Sequence, residues 1–132
     1  MIIYVDTSAV LKLVVEEEES SVAAGYFSNA AGRGDHLVAS MLVYTELHCA
    51  AHRRGLPSGL VNTVLGGINL LDVARTDLMY AAALPGRLRS ADAIHLAAAI
   101  RLQADVLVAY DGELLAAAMD AGLNVISPGR TA

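Results

Sequence analysis

Four carboxylates of this 132-residue sequence stand among apolar neighbours, where a lone acid is costly to bury. Asp6 and Asp111 each come directly after an apolar run. Glu46 has apolar residues on its own side of a predicted helix, and Asp92 lies inside the run RSADAIHLAAAI. Taken singly, each acid has an ordinary explanation: a helix cap, a turn residue, or a first-turn acid that the helix dipole favours. Their combination asks for a different explanation, which depends on where the fold places them.

The elements that carry these acids alternate between short apolar runs and Ala- and Leu-rich helical stretches. We predict strands at 1–5, 36–40, 68–73, 105–110 and 124–127. We predict helices at 7–16, 21–31, 41–54, 58–67, 77–84, 91–102 and 112–122. Continuously apolar strands separated by helices indicate a parallel sheet that is covered on both faces. The sequence thus predicts one α/β domain over 1–132, with a central parallel five-stranded sheet flanked by helices.

In such a sheet, ligands bind at the carboxyl ends of the strands. Asp6 and Asp111 follow their strands and are expected on that edge, whereas Asp105 precedes its strand and is expected on the opposite edge. The helix of Glu46 starts from the same edge as Asp6. Ser90 is predicted to be an N-cap, which places Asp92 in the first turn of its helix.

Four carboxylates that converge on one cleft repel one another and raise one another's pKa values. A divalent cation relieves this repulsion, and ligand sets made only of oxygen suit Mg²⁺ or Mn²⁺. Such an ion polarises phosphate oxygens and activates water. The sequence therefore predicts a metal site for phosphate chemistry, formed by Asp6, Glu46, Asp92 and Asp111.

Several segments also resemble the PIN-domain family, and within it the VapC-type toxins of toxin–antitoxin systems. They are, in order, IIYVDTSAVLKL, VYTEL, LRSADAIHLAAAIRL, DVLVAYDGEL and the late GLNVISP. The resemblance covers essentially the whole chain, and four motifs occur in the family's order and spacing. It departs from the family at Ala109, where relatives often have Thr or Ser.

The resemblance implies a small α/β domain and a metal-dependent endoribonuclease. The family's acidic quartet falls on the same four acids, and one or two ions held by it assist in-line attack of water on the phosphate. The expected products carry a 5′-phosphate and a 3′-hydroxyl. A small hydroxyl residue near the first acid is typical, and Thr7 and Ser8 supply it. A homodimer and a cognate antitoxin are the implied partners.

Other polar residues are assigned lesser roles. Arg87 and Arg89 precede the helix of Asp92, and either hold the RNA backbone or are simply solvated. His95 is interpreted as a packed, hydrogen-bonded histidine, although a role in metal binding or acid–base chemistry stays open. The remaining assignments are a core position for Cys49, surface positions for His48, His52, Asp72, Asp77 and Asp120, and a solvated helix end without function for the run of four Glu at 16–19.

Composition narrows the alternatives. A net charge of −5 argues against a protein that coats nucleic acid, and one cysteine excludes an intrachain disulfide. The sequence shows no signal peptide or membrane span, so a cytoplasmic protein is expected.

Three other classes of protein lack their motifs here. A haloacid-dehalogenase pattern needs Asp where Ser8 stands, and the acid pair and late Lys of a receiver domain are missing. A cofactor-binding Rossmann protein needs a Gly-rich turn after the first strand, and none follows it. A catalytically silent PIN-like interaction module remains the alternative.

Overall fold

The apolar run at the start of the chain forms β1 (Ile2–Val5), the central strand of the sheet. The structure is a computed structural model and describes residues 1–130. The other strands are β2 (His36–Ser40), β3 (Asn69–Leu71), β4 (Val106–Val108) and β5 (Asn124–Ile126). The order across the sheet is β3-β2-β1-β4-β5, and every neighbouring pair is parallel. The predicted parallel five-stranded sheet is confirmed.

Seven helices in residues 1–130 connect the strands and cover the sheet. They are α1 (Thr7–Leu11), α2 (Ser20–Gly32), α3 (Leu42–Arg53), α4 (Ser58–Leu65), α5 (Arg75–Ala83), α6 (Ser90–Arg101) and α7 (Gly112–Asp120). The chain is therefore a single α/β domain, as predicted. Residues 131 and 132, which the predicted domain included, lie outside the described residues. None of the described helices is long and apolar enough to cross a membrane.

Helices bury both faces of the sheet, and successive side chains of a strand point to opposite faces. Ile3 and Val5 of β1 pack on one face against side chains from α1, α2, α3 and α4. Tyr4 points to the other face, where it meets the apolar side chains of α6 and α7. This two-sided burial explains why β1 has no exposed polar position between Ile3 and Asp6.

The helix predicted over 7–16 is wrong in its end, since α1 stops at Leu11. Lys12 is buried and its amine lies 3.2 Å from a carboxylate oxygen of Glu19, which is buried as well. The hydroxyl of Ser20 accepts from the Glu17 amide and donates to the Val15 carbonyl. These contacts favour a turn over a longer helix. The prediction of a solvated helix end at 16–19 is wrong for Glu19, which is a buried ion-pair partner.

Asp77 was predicted to be a surface acid, and that prediction is wrong. Its side chain is 2% exposed and accepts two hydrogen bonds from the Arg101 guanidinium, at 2.6 and 3.0 Å. It also accepts from the Ala74 amide at the start of α5. The Arg101 guanidinium keeps the pKa of Asp77 below its usual value. The pair joins α5 to α6, whereas Asp72 and Asp120 are exposed as predicted.

Candidate active site

A cavity of about 480 Å³ opens at the carboxyl ends of β1, β2 and β4. All four acids predicted from the sequence line it: Asp6, Glu46, Asp92 and Asp111. Asp105, in contrast, lies at the other edge of the sheet, where its carboxylate accepts from the Ile2 amide. The structure therefore brings the predicted quartet to one cavity from four separate elements.

Asp6 is the most enclosed of the four, with 3% of its surface exposed. It caps α1: its Oδ2 accepts from the Ser8 amide at 3.1 Å and from the Ser8 hydroxyl at 2.6 Å. That hydroxyl oxygen accepts in turn from the Tyr110 amide, which ties α1 to the end of β4. The other oxygen, Oδ1, is buried and has no hydrogen-bond partner among residues 1–130. Capping thus fixes the side chain while leaving one oxygen free.

Asp111 repeats this arrangement at the next strand. It is the N-cap of α7, and its Oδ1 accepts from the Leu114 amide at 2.9 Å. Both acids are therefore helix caps, as the ordinary explanation of Asp6 suggested, but capping occupies only one carboxylate oxygen in each. A cap preference and a role in the cavity are compatible for the same residue.

Glu46 is held by two donors on one oxygen. Its Oε1 accepts from the Thr7 hydroxyl at 2.8 Å and lies 2.6 Å from Nε2 of His95. Nε2 also lies 3.8 Å from Asp6 Oδ1. Asp6 Oδ1 and Glu46 Oε1 are therefore both close to the same nitrogen of His95, and so they are close to each other. Burial alone would raise the pKa of Glu46, but the His95 and Thr7 contacts lower it below its ordinary value.

His95 is fully buried, as expected for a packed histidine, and its other nitrogen faces Tyr4. Nδ1 lies 2.8 Å from the Tyr4 hydroxyl, whose oxygen already accepts from the Ser40 amide. The Tyr4 proton therefore has Nδ1 as its acceptor among the described residues. Nδ1 is then unprotonated, and Nε2 carries the proton that is donated to Glu46. A chain of hydrogen bonds runs from β2 through β1 to the cavity.

The groups around His95 favour its protonation overall. Burial disfavours the charged ring, but the hydrogen bond to Glu46 and the charges of Asp6, Glu46 and Asp92 outweigh burial and raise the pKa of His95. A second proton would sit on Nδ1 and displace the Tyr4 proton from its acceptor. In either state Nε2 donates to Glu46, so the orientation of that carboxylate does not change.

Asp92 lies in the first turn of α6, as predicted, although the predicted N-cap is wrong. Arg89 is the capping residue, no side chain makes a cap hydrogen bond, and Ser90 is the first helical residue. Burial, reinforced by the charges of Asp6 and Asp111, raises the pKa of Asp92 to about 6. Burial is the larger cause of this shift, and the repulsion that the sequence predicted for a convergent quartet adds to it.

The residues fit a hard divalent cation on two observations. The unpartnered Oδ1 of Asp6 is a buried acceptor that needs a positive partner. The acids around it offer oxygen ligands, which Mg²⁺ and Mn²⁺ prefer. Within residues 1–130, no three His, Cys, Asp or Glu side chains already form a closed group that could hold an ion. The carboxylates line the cavity, and Glu46 is turned towards His95.

The other predicted residues divide between the cavity and its surroundings. Thr7 and Ser8 line the cavity, whereas Arg87 lines a different one beside α7. Arg89 does not line the acidic cavity, although it directly precedes α6. The core position predicted for Cys49 is wrong, because its side chain is exposed on the face of α3 that borders the cavity.

The two histidines on α3 behave as surface residues, which the sequence predicted. His52 is exposed, and His48 pairs with the side chain of Asn62 at 3.0 Å.

Sequence reasoning missed the contribution of Tyr4. The available signal was a tyrosine inside a fully apolar strand, because a buried tyrosine hydroxyl needs a hydrogen-bond partner. Arg53 and Arg54 were not predicted to belong to the site either, although both line the cavity. That placement depends on α3 lying along the cavity, which no local pattern encodes.

A family model described as the PIN domain matches residues 3–119. This chain belongs to the PIN-domain family. Within it, the chain is similar to two ribonucleases of Mycobacterium tuberculosis. It is 33% identical to Ribonuclease VapC47 over 96% of this chain and 97% of that protein. It is 37% identical to Ribonuclease VapC46, with the same two coverages.

Solved structures share the fold at low sequence identity. The crystal structure of VapBC2 from Rickettsia felis, bound to a DNA fragment from their promoter, matches with a TM-score of 0.78 and 14% identity. The match covers 97% of this chain and 99% of that one. VapC20 of Mycobacterium tuberculosis, a toxin that cleaves the Sarcin-Ricin loop, matches with a TM-score of 0.75 and 18% identity, over 96% and 99% of the two chains.

Proposed function

We propose that this protein is a metal-dependent endoribonuclease and the toxin of a VapBC-type toxin–antitoxin pair. One observation carries the proposal: four carboxylates from four elements line a single cavity, and a buried oxygen of Asp6 has no partner among residues 1–130. The similarity to ribonucleases named VapC over almost the whole length of both chains supports RNA as the substrate.

The proposed metal ligands are Asp6, Glu46, Asp92 and Asp111. An Mg²⁺ or Mn²⁺ ion at this position supplies Lewis-acid polarisation of phosphate oxygens and lowers the pKa of water. The protein's own residues set up the site. Caps fix Asp6 and Asp111, and Thr7 and His95 orient Glu46.

Burial and the charges of Asp6 and Asp111 raise the pKa of Asp92 and so disfavour its ionised form, an effect that a bound cation would offset. Thr7, Ser8 and Arg89 are the proposed contacts to RNA beside the acids. Thr7 and Ser8 donate their hydroxyl protons to carboxylates, and the Ser8 oxygen also accepts from the Tyr110 amide, so they can offer RNA only the remaining lone pairs of their hydroxyl oxygens.

Association with partners is proposed on the apolar surface. Three consecutive side chains of α5 are exposed by about half or more, at 48%, 63% and 50%: Leu78, Met79 and Tyr80. Such a patch is typical of an interaction surface. We propose that a second copy of this chain and an antitoxin protein cover the exposed apolar surface, and that the protein acts in the cytoplasm. Light scattering of the purified protein at micromolar concentration checks the dimer, and a strictly monomeric species contradicts it.

The function is tested by incubating a mixed RNA pool with the protein, in added Mg²⁺ or Mn²⁺ and in chelator. Asp92→Asn keeps the size of the side chain and removes its charge, so cleavage should fall at least a hundredfold while the domain stays folded. Asp105→Asn makes the same change at the opposite edge of the sheet and should cleave like wild type.

Cleavage that persists in chelator, or an Asp92→Asn variant as active as wild type, contradicts the proposed mechanism. A wild-type protein that cleaves no RNA in any metal would favour the silent interaction module instead.

A further inference from the structure

Two neighbouring basic side chains with no ion-pair partner among residues 1–130 lie together on the cavity wall. Four of the nine Lys and Arg residues form ion pairs: Lys12, Arg33, Arg101 and Arg130. The other five form no ion pair within residues 1–130. Only Arg53 and Arg54 among these five line the cavity that holds the four carboxylates.

The geometry of α3 explains why arginines and acid share one wall. Glu46, Cys49, Ala50 and Arg53 are spaced i, i+3, i+4 and i+7, which places them on one side of a helix, and all four line the cavity. At about 1.5 Å of rise per residue, Arg53 lies roughly 10 Å beyond Glu46 along the helix axis. The cavity is thus acidic at one end and basic at the other.

We propose that Arg53 and Arg54 form a binding site for the RNA backbone, holding phosphates next to the one that is cleaved. The inference rests on the proposed ribonuclease function and adds the position of the substrate. A guanidinium offers several donors in a fixed plane and binds phosphate oxygens in pairs. Arg54 spends one donor on a weak 3.4 Å contact with the Ala50 carbonyl, so most of its donors remain free.

Arg53 and Arg54 reduce the electrostatic repulsion between this acidic protein and RNA. The protein carries a net charge of −5, and its acidic quartet repels a polyanion that approaches the cavity. Two guanidinium groups without ion-pair partners among the described residues lie on the same wall and offset that repulsion where the RNA enters the cavity. A favourable interaction of Arg53 with the carboxyl end of α3 explains a basic residue at this position, but it does not explain why both arginines face the acidic cavity.

Cys49 provides a native probe of this surface. It is the only cysteine of the chain, it is exposed, and it lines the cavity between Glu46 and Arg53. RNA that runs from the carboxylates to the arginines passes over its thiol. Bound RNA should therefore protect Cys49 from alkylation.

The test measures RNA binding in an Asp92→Asn background with Mg²⁺, so that the RNA is not cleaved. A labelled pool of single-stranded RNA of randomised sequence is titrated by fluorescence anisotropy at several salt concentrations. Adding R53A and R54A should weaken binding about tenfold or more. It should also reduce the slope of log K against log salt by about 1.4, which corresponds to two lost phosphate contacts on a single strand.

The matched control removes the same charge elsewhere. R33A and R75A in the same background leave the acidic cavity untouched and should change RNA affinity less than about twofold. Saturating RNA should slow iodoacetamide labelling of Cys49 in the background protein and in this control. At the same RNA concentration it should slow labelling clearly less in the R53A and R54A variant.

Equal losses in both double variants, or a Cys49 labelling rate that RNA does not change, overturn the inference. Its failure is distinguishable from failure of the proposed function. If wild type cleaves RNA with Mg²⁺ while R53A and R54A leave affinity and cleavage unchanged, the backbone site is wrong and the ribonuclease assignment stands. If neither wild type nor background protein binds or cleaves RNA, both are wrong.

Discussion

Replacing Tyr4 by Phe tests the hydrogen-bond chain behind the carboxylates. The substitution removes one oxygen and leaves the ring in place, so the cavity it creates is negligible. It deletes two buried contacts at once: the Ser40 amide loses its acceptor at 3.0 Å, and Nδ1 of His95 loses its donor at 2.8 Å. Both partners are buried, at 2% and 0% exposure, so water cannot replace the missing group without a rearrangement.

The expected cost follows from these two orphaned groups. Leaving a buried donor or acceptor unsatisfied costs about 1–3 kcal/mol for each group. Removing a polar hydroxyl from an apolar site returns about 1 kcal/mol. The free energy of unfolding of Tyr4→Phe should therefore be about 1–5 kcal/mol below that of wild type, which is a large share of the stability of a small domain.

Urea unfolding followed by circular dichroism measures this difference. Wild type and variant are compared at the same protein concentration, because association would make apparent stability depend on concentration. Tyr80→Phe is the matched control, since that ring is 50% exposed and the structure gives its hydroxyl no hydrogen bond among residues 1–130. A Tyr4→Phe protein whose stability equals that of the Tyr80→Phe control refutes the chain of hydrogen bonds.

Three further substitutions test other parts of the structure. Asp92→Asn should stabilise the metal-free protein at pH 7 by about 1 kcal/mol after allowance for solvent screening, because burial and the charge of Asp6 raise the pKa of Asp92 to about 6. The gain should shrink as pH falls below about 6 and disappear below about pH 3, where the acid is protonated in folded and unfolded chains alike, as thermal unfolding in chelator would show. Arg101→Met should cost about 1–3 kcal/mol at pH 7, because it leaves Asp77 buried without its cation. Because the Arg101 guanidinium lowers the pKa of Asp77, the ion pair's contribution to stability is lost as pH falls through the lowered pKa. The destabilisation caused by Arg101→Met should therefore be smaller in urea unfolding at pH 3 than at pH 7. An equal destabilisation at both pH values contradicts this expectation. Ala98→Leu should lower the melting temperature through overpacking worth about 1–3 kcal/mol, because Ala98 is 1% exposed where α6 packs on the sheet.

Most of the fold was predictable because the strands are apolar throughout and the helices between them are regular. The less predictable features depend on contacts between distant residues. Asp77 looks like a surface acid until Arg101, 24 positions away, is brought beside it. The end of α1 likewise depends on a buried ion pair between Lys12 and Glu19, which a local helical pattern does not reveal.

The candidate site shows the same division. Acids that follow parallel strands meet at one edge of the sheet, so the convergence of Asp6 and Asp111 could be predicted from the sequence. The orientation of Glu46 could not, because it depends on His95 and on a tyrosine that lies 91 positions before that histidine. Hydrogen bonds of this kind link side chains by distance in space, and sequence periodicity carries no information about them.

The central place of β1 in the sheet has a consequence during protein synthesis. β1 is made before the other strands of the sheet, yet one of its two neighbours is β4, and Tyr110 contacts Ser8 across 102 positions of the chain. At roughly 5–20 residues per second, the ribosome needs about 5–20 s to make the intervening segment. Until then the cavity lacks the wall that β4 and α7 provide, and one edge of β1 stays unpaired. A nascent chain therefore gains its complete set of carboxylates only after Asp111 has been made, so a shorter nascent chain holds no complete site.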